Sequence, residues 1–177
     1  MKYSVDKALE ILERTPMVLE VFLKELSDLW LHCNEGEETW SAYDVVGHLI
    51  HGEKTDWIER LKIIMSDTGN KTFVPFDRFA QFEDSKGKTM VQLLEEFKVL
   101  RNQNITYLKS LNLQEKDLDR KGIHPELGEV TLKNLLATWV THDLGHIAQI
   151  SRVMAKQYKQ EVGPWTAYIS ILNRQYD

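Results

Sequence analysis

Apolar positions recur every three to four residues along most of this chain, the period of an amphipathic helix. The pattern breaks only at glycine, proline or clustered polar residues. Ser4 is placed to cap a first run containing Ala8, Leu9, Ile11 and Leu12. Thr15-Pro16 interrupts it, since proline suits a first helical position better than a helix interior. A second run, Met17 to Leu31, carries Val18, Leu19, Phe22, Leu23, Leu26 and Leu29, which predicts one long element broken or kinked at Pro16. The polar stretch Cys33–Thr39 predicts a loop. Ser41, with Asp44 at N3, approaches a capping box and opens a helix to about Ser66 through Val45, Val46, Leu49, Ile50, Trp57, Ile58, Leu61 and Ile64.

Asp67 to Lys88 holds Gly69, Pro75 and Gly87 together with Phe73, Phe76, Phe79 and Phe82. An aromatic-rich connection of this length either walls a pocket or closes the open end of the fold. Thr89 opens a helix over Met90 to Leu111, and Asn112 to Val130 is a second connection, containing Gly122, His124-Pro125 and Gly128. Thr131 caps a last long helix running to about Lys159. Gly163-Pro164 ends it, and Trp165 to Leu172 predicts a short terminal helix. The pattern shows no strand and no internal repeat. It predicts an all-α protein, a four-helix bundle in which not every neighbour is joined by a tight turn.

On the last long helix, Leu132, Leu135, Leu136, Trp139, Ile147, Ile150, Val153 and Met154 form one apolar stripe, with His142 and His146 at its margin, facing inward. Residues four apart leave a helix on the same side, with their Cβ atoms about 6 Å apart. Two neutral imidazoles so placed can close on one divalent ion about 2 Å from each nitrogen. HxxxH alone fits a metal pair or two core histidines equally well. On the helix after Ser41, His48 flanks the apolar stripe whereas His51 points more nearly away from it. Gly47 and Gly52 beside them point to a close backbone approach or room for a ligand. His32 falls at a helix end and His124 in a loop, places typical of surface residues.

Composition narrows the partners. A chain of 177 residues is long enough for one domain, 1–177, with a sizeable core. A net charge of −5 without a basic cluster argues against nucleic acid. Cys33 is the single cysteine, so an intrachain disulfide is excluded and a reducing compartment fits. The N-terminal stretch lacks the apolar core of a signal peptide, and no apolar run reaches bilayer length. The expectation is a cytoplasmic protein with a small-molecule substrate and neither a nucleic-acid nor a membrane partner.

Four stretches together carry a resemblance: WSAYDVVGHLIHGE (Trp40–Glu53), HPELGEVTLKNLL (His124–Leu136), THDLGHIAQI (Thr141–Ile150) and VGPW (Val162–Trp165), with Thr15-Pro16 in the first helix. The combination resembles the DinB/YfiT-like superfamily over nearly the whole chain. The resemblance implies an up-down-down-up four-helix bundle, often a homodimer. It also implies one divalent metal, commonly nickel or zinc, held by His48, His142 and His146. Characterised members of that superfamily include thiol-dependent S-transferases that use bacillithiol or mycothiol and an isomerase that uses mycothiol. A low-molecular-weight thiol is therefore an implied cosubstrate.

Three imidazoles leave a bound ion with an open position, the arrangement of a catalytic site. Such an ion activates water or binds a thiol as thiolate. Glu53 and Asp143 are the candidate catalytic carboxylates. Glu53 lies one turn beyond His48, placed to shuttle protons or to pair with a neighbouring helix. Asp143 falls within the apolar stripe and needs a partner there, either a ligand histidine or an element it anchors. Gln149, one turn beyond His146, is placed to line the pocket. Cys33 stands outside every motif, with nothing nearby to lower its pKa. Two classes stay open: a metal-dependent hydrolase or thiol transferase, and a non-catalytic bundle that binds a ligand or dimerises.

Overall fold

The computed structural model describes residues 1–67 and 69–173. The capping residues act as the sequence predicts. Ser41 and Asp44, Thr89 and Gln92, and Thr131 and Asn134 each form a reciprocal capping box, so each long helix begins where its orphan N–H groups are satisfied. The first long segment comprises α1 (Val5–Leu12), α2 (Thr15–Leu23) and α3 (Asp28–Leu31). The run predicted to continue to Leu31 therefore stops eight residues early. Lys24 is extended and Glu25 takes a left-handed φ of 65°, which turns the chain out of the helix. The second segment is α4 (Ala42–Thr55) and α5 (Trp57–Met65), offset at Asp56 rather than continuous. The offset seats Trp57 against Gly52, where a Cβ would meet the indole nitrogen at 3.2 Å.

In the first long connection, α6 (Ala80–Ser85) precedes α7 (Met90–Ser110). The second connection departs from expectation: it contains a hairpin, β1 (Lys121–His124) paired antiparallel with β2 (Gly128–Thr131). Four-residue strands are too short to show an alternating pattern in sequence. Gly128, at φ 75°, closes the turn. The last helix, α8 (Leu132–Lys156), ends three residues before Lys159, and the predicted terminal helix is two 3₁₀ turns, Gly163–Ala167 and Ser170–Leu172.

Two apolar clusters fix the helix directions. One joins Leu19 and Leu23 to Val45, Leu49, Leu93, Phe97 and Ile150, hence the end of the first segment, the starts of the second and third, and the end of the fourth. The other joins Leu12 to Leu61, Ile64, Ile105, Leu108, Leu132 and Leu136, the opposite ends. The second and third segments therefore run parallel, and the first and fourth run against them: an up-down-down-up four-helix bundle. Parallel neighbours cannot be joined by a tight turn, which explains the long connection between α5 and α7. That connection and the hairpin are tied together, Phe73 N–H donating to the Ile123 carbonyl and Ile123 N–H to the Lys71 carbonyl, each at 2.9 Å. Gly122 lets them close, because a Cβ there would lie 2.6 Å from the Phe73 ring. Of the four connection phenylalanines, Phe73 is buried, Phe76 lines a cavity, and Phe79 and Phe82 are exposed.

Between the two clusters lies Arg101 of α7, 0% exposed. Its guanidinium forks onto Asp143 of α8 (Nη1 to Oδ2 2.6 Å, Nη2 to Oδ1 2.9 Å). It also donates to Glu53 of α4 at 2.8 Å and to the Leu12 carbonyl of α1 at 2.9 Å. The last of these explains the proline. The Leu12 carbonyl would ordinarily accept from residue 16, and Pro16 has no N–H to give. Trp139 Nε1 (3.0 Å) and Asn104 Nδ2 (2.9 Å) complete the coordination of Glu53. Burial opposes the arginine charge, but the two carboxylates outweigh it and raise its pKa, so the group stays cationic. Removing one partner of such a network leaves the others buried and uncompensated, a loss of about 3–5 kcal/mol. Arg101→Met is therefore expected to lower the unfolding free energy by about that amount, measured by urea denaturation. A loss below about 1 kcal/mol would show that the network is not what clamps the four segments.

Candidate metal centre

The site begins with how α4 presents His48. Its helix is started by the Ser41 capping box, and Gly47 allows α6 to lie against it, since a Cβ at Gly47 would run into Ser85 Oγ. The Tyr43 hydroxyl, within reach of the Ser85 (2.5 Å) and Lys88 (2.8 Å) carbonyls, fixes that contact. This docking delivers Gln81, 1% exposed, whose Oε1 lies 2.9 Å from His48 Nδ1. On α8, Gln149 Oε1 lies 2.8 Å from His146 Nδ1. An amide oxygen only accepts, so each of these imidazoles carries its proton on Nδ1 and leaves Nε2 as a bare lone pair.

Those lone pairs converge. His48 Nε2 is 3.0 Å and His146 Nε2 3.1 Å from His142 Nε2, and the three candidate ligand atoms lie within 4.8 Å of one another. His142 can give a proton to one of its neighbours at most, so a shared cation is the partner that satisfies all three nitrogens. Burial, the largest effect, pushes the His48 pKa down to about 4 and that of His142 to about 2, and it lowers His146 as well. All three are therefore neutral at pH 7, the form in which imidazole ligates a metal. Three nitrogen donors and no carboxylate suit a divalent ion such as zinc or nickel. The donor set fits a metal.

Aromatic rings hold the cluster in place. The Trp40 ring lies 4.8 Å from His48 and 6.2 Å from His146, and Trp57, stacked on Trp139 at 5.7 Å, meets His142 edge-on at 5.1 Å. All three histidines open onto a cavity of about 530 Å³, walled by Trp57 and by both long connections through Phe73, Phe76, His124 and Leu127. That volume suits a small organic ligand.

The structure brings His48, His142 and His146 together, and with them Gln149. It takes Glu53 and Asp143 elsewhere: both side chains are fully buried on Arg101 and neither lines the cavity. Of the alternatives the sequence left for them, pairing and anchoring match this geometry, because Arg101, with Trp139 and Asn104 at Glu53, already occupies the oxygens a proton shuttle would use. His51 also departs from expectation. It is 6% exposed, since α6 covers that face of α4, and its Nδ1 is 3.6 Å from Asp84 Oδ2. His124 is partly buried and lines the cavity. Cys33 lies outside the cavity, with its thiol pKa raised by burial. Sequence reading passed over Gln81, whose connection carries no period, and Arg101, which did leave a signal as a charged residue on the Phe97–Ile105 face of α7. It also passed over the pair Asp56 and Arg60 on the cavity wall, where burial raises the Asp56 carboxyl to about 6 against the pull of Arg60.

Comparison with known proteins agrees with this architecture. A candidate metal-dependent hydrolase of Bacillus cereus (strain 03BB102) is 27% identical over 149 residues, 83% of each chain. YfiT of Bacillus subtilis (strain 168), likewise named a candidate metal-dependent hydrolase, is 26% identical over 155 residues, 86% of this chain and 85% of YfiT. The solved structure of YfiT, described as a probable metal-dependent hydrolase with an unusual four-helix bundle topology, superposes with a TM-score of 0.74 and 24% identity, covering 88% of this chain and 90% of that one. The profile of the DinB superfamily matches residues 11–150, from the first helix to beyond the histidine pair, and the chain belongs to that superfamily.

Proposed function

We propose that this protein is a metal-dependent hydrolase in which His48, His142 and His146 hold one divalent ion, zinc or nickel, at the inner wall of the cavity. One observation carries the reading: three Nε2 lone pairs meet at one point, two with tautomers set by Gln81 and Gln149, on a cavity roomy enough for a substrate. A bound ion there supplies Lewis acidity and lowers the pKa of water toward neutrality. The protein's own work is to keep the imidazoles neutral by burial, to orient them through the two glutamines, and to exclude bulk water with the Trp40, Trp57 and Phe76 rings. The relatives' names point to hydrolysis. A low-molecular-weight thiol in place of water would be the transferase form of the same reading, and turnover that requires added thiol would select it.

The purified protein is expected to hold one zinc or nickel equivalent per chain by elemental analysis. His146→Ala should lose most of it and His51→Ala should keep it. Gln81→Leu, which leaves His48 Nδ1–H without its acceptor, should weaken metal binding by about 10–100-fold. Unaltered metal content in both His142→Ala and His146→Ala would rule the site out.

The pH dependence follows from the lowered histidine pKa values. In the unfolded chain these groups titrate near 6.5, and in the folded one His48 does so near 4 and His142 lower still. The unfolded state therefore binds more protons between these limits, so stability is full above about pH 6.5 and is lost as pH falls toward 4. Melting curves of chelator-treated protein should show this decline, and bound metal should be released over the same range because protons compete for Nε2. A melting temperature that stays flat from pH 7 to pH 4.5 would contradict the buried, neutral histidines.

A further inference from the structure

Besides the histidines, the cavity wall carries an arrangement of charge that the hydrolase reading leaves unused. Arg60, Arg78 and His124 all line it. Arg60 pairs through its Nε with Asp56, and no hydrogen bond is made by its two terminal amino groups among the described residues; its side chain is 12% exposed, and its guanidinium lies over the Phe73 ring at 5.2 Å, a contact that leaves the edge of the fork open. Arg78 makes no ion pair among the described residues, is exposed, and lines the same cavity as His48. His124 accepts two backbone N–H groups on Nδ1, from Glu126 and Leu127 at 3.2 Å each. Its proton is therefore on Nε2, a donor without a partner among the described residues. Burial lowers the His124 pKa, and the nearby Arg60 lowers it further. The wall thus offers three sets of unfilled donors, on Arg60, Arg78 and His124, facing the same cavity as the histidine cluster.

Charge decides what fills these donors. The protein as a whole is acidic, at −5, yet the carboxylates on this wall are Asp56, already paired with Arg60, and Glu126. Three neutral imidazoles contribute no negative charge to offset a divalent ion. A ligand bringing its own negative charge meets both the unfilled donors and that excess, and arginine grips planar oxyanions through two parallel hydrogen bonds. Between these groups the wall is apolar, with Trp57, Phe73, Phe76 and Leu127.

We propose that the cavity takes an organic acid, a molecule with an apolar body and a carboxylate or phosphate group, held by Arg60, Arg78 and the Nε2–H of His124 with the rest of the molecule extending toward the histidine cluster. This deepens the hydrolase reading and rests on it for the orientation of the substrate, whereas the oxyanion grip stands on the arginines and His124 alone. Asp56 then acts as a brake on affinity, because it competes with the ligand for Arg60.

The test is calorimetric titration of the full chain, as purified and after chelation, with 3-phenylpropionate and its neutral analogue 3-phenylpropionamide. The carboxylate is expected to bind the chelated protein about tenfold or more tightly than the amide, the range of a charged hydrogen bond. Arg78→Gln, at an exposed position that leaves the fold alone, and Arg60→Gln should each erode that preference. Asp56→Asn should increase it, an effect that a purely structural role for the pair would not produce. Phenyl phosphate in the same titration separates a phosphate grip from a carboxylate one within the proposal. Equal affinity for acid and amide, binding of neither, or a preference unchanged in both arginine variants would overturn it. His146→Ala separates the two readings. If it and the parent chain both hold no metal while the carboxylate preference persists, the hydrolase reading falls and the organic-acid site stands. If metal is bound but the preference is absent, the reverse holds.

Discussion

The buried guanidinium of Arg101 is the constraint on which the rest of the bundle depends. It carries a full charge at 0% exposure, a state that is tolerable only when every nearby acceptor is in place. Those acceptors come from the first, second and fourth helical segments, while Arg101 itself comes from the third. A shift of any one segment along its axis by a turn would strand the charge. The two apolar clusters on either side supply most of the burial, but apolar contacts tolerate sliding. The ion network does not, and it sets the register of the four segments against one another.

That register is what makes the histidine cluster possible. Asp143 is held by Arg101, and His142 precedes it by one residue, with His146 less than a turn beyond. Glu53 is held by the same group, and His48 lies five residues before it. The network and the candidate metal centre are thus two consequences of one alignment of α4 with α8, one oriented toward the bundle interior and one toward the cavity. Both carboxylates bond to Arg101, and through it they tie α4 to α8 beside the site.

The cavity side is finished by the long connections. Parallel α5 and α7 require a connection that travels the length of the bundle, and the chain uses that length twice. Its first part crosses to the hairpin and brings Phe73 beside Gly122, and its second part forms α6, which lies on Gly47 and supplies Gln81. A topological necessity therefore provides both the cover of the cavity and the group that fixes the His48 tautomer.

Sequence by itself determined the helices, their caps and the pairing of His142 with His146, because each depends on neighbours within one or two turns. It also placed His48, through its position on a helix that resembles a known superfamily. Local signals could not show that the run to Leu31 breaks at Glu25, that α4 is offset from α5 at Asp56, or that a short hairpin forms after α7. Left-handed backbone and four-residue strands leave no periodic trace. Tertiary structure alone decided what the polar residues do. Glu53 lies one turn from His48 in sequence, yet its carboxylate belongs to an arginine 48 residues away. His51 faces away from the stripe of its own helix and is nevertheless buried, because a separate helix covers it. Charge and hydrogen bonding act through space over a few ångströms, and in this fold those distances are set by segments far apart in the chain.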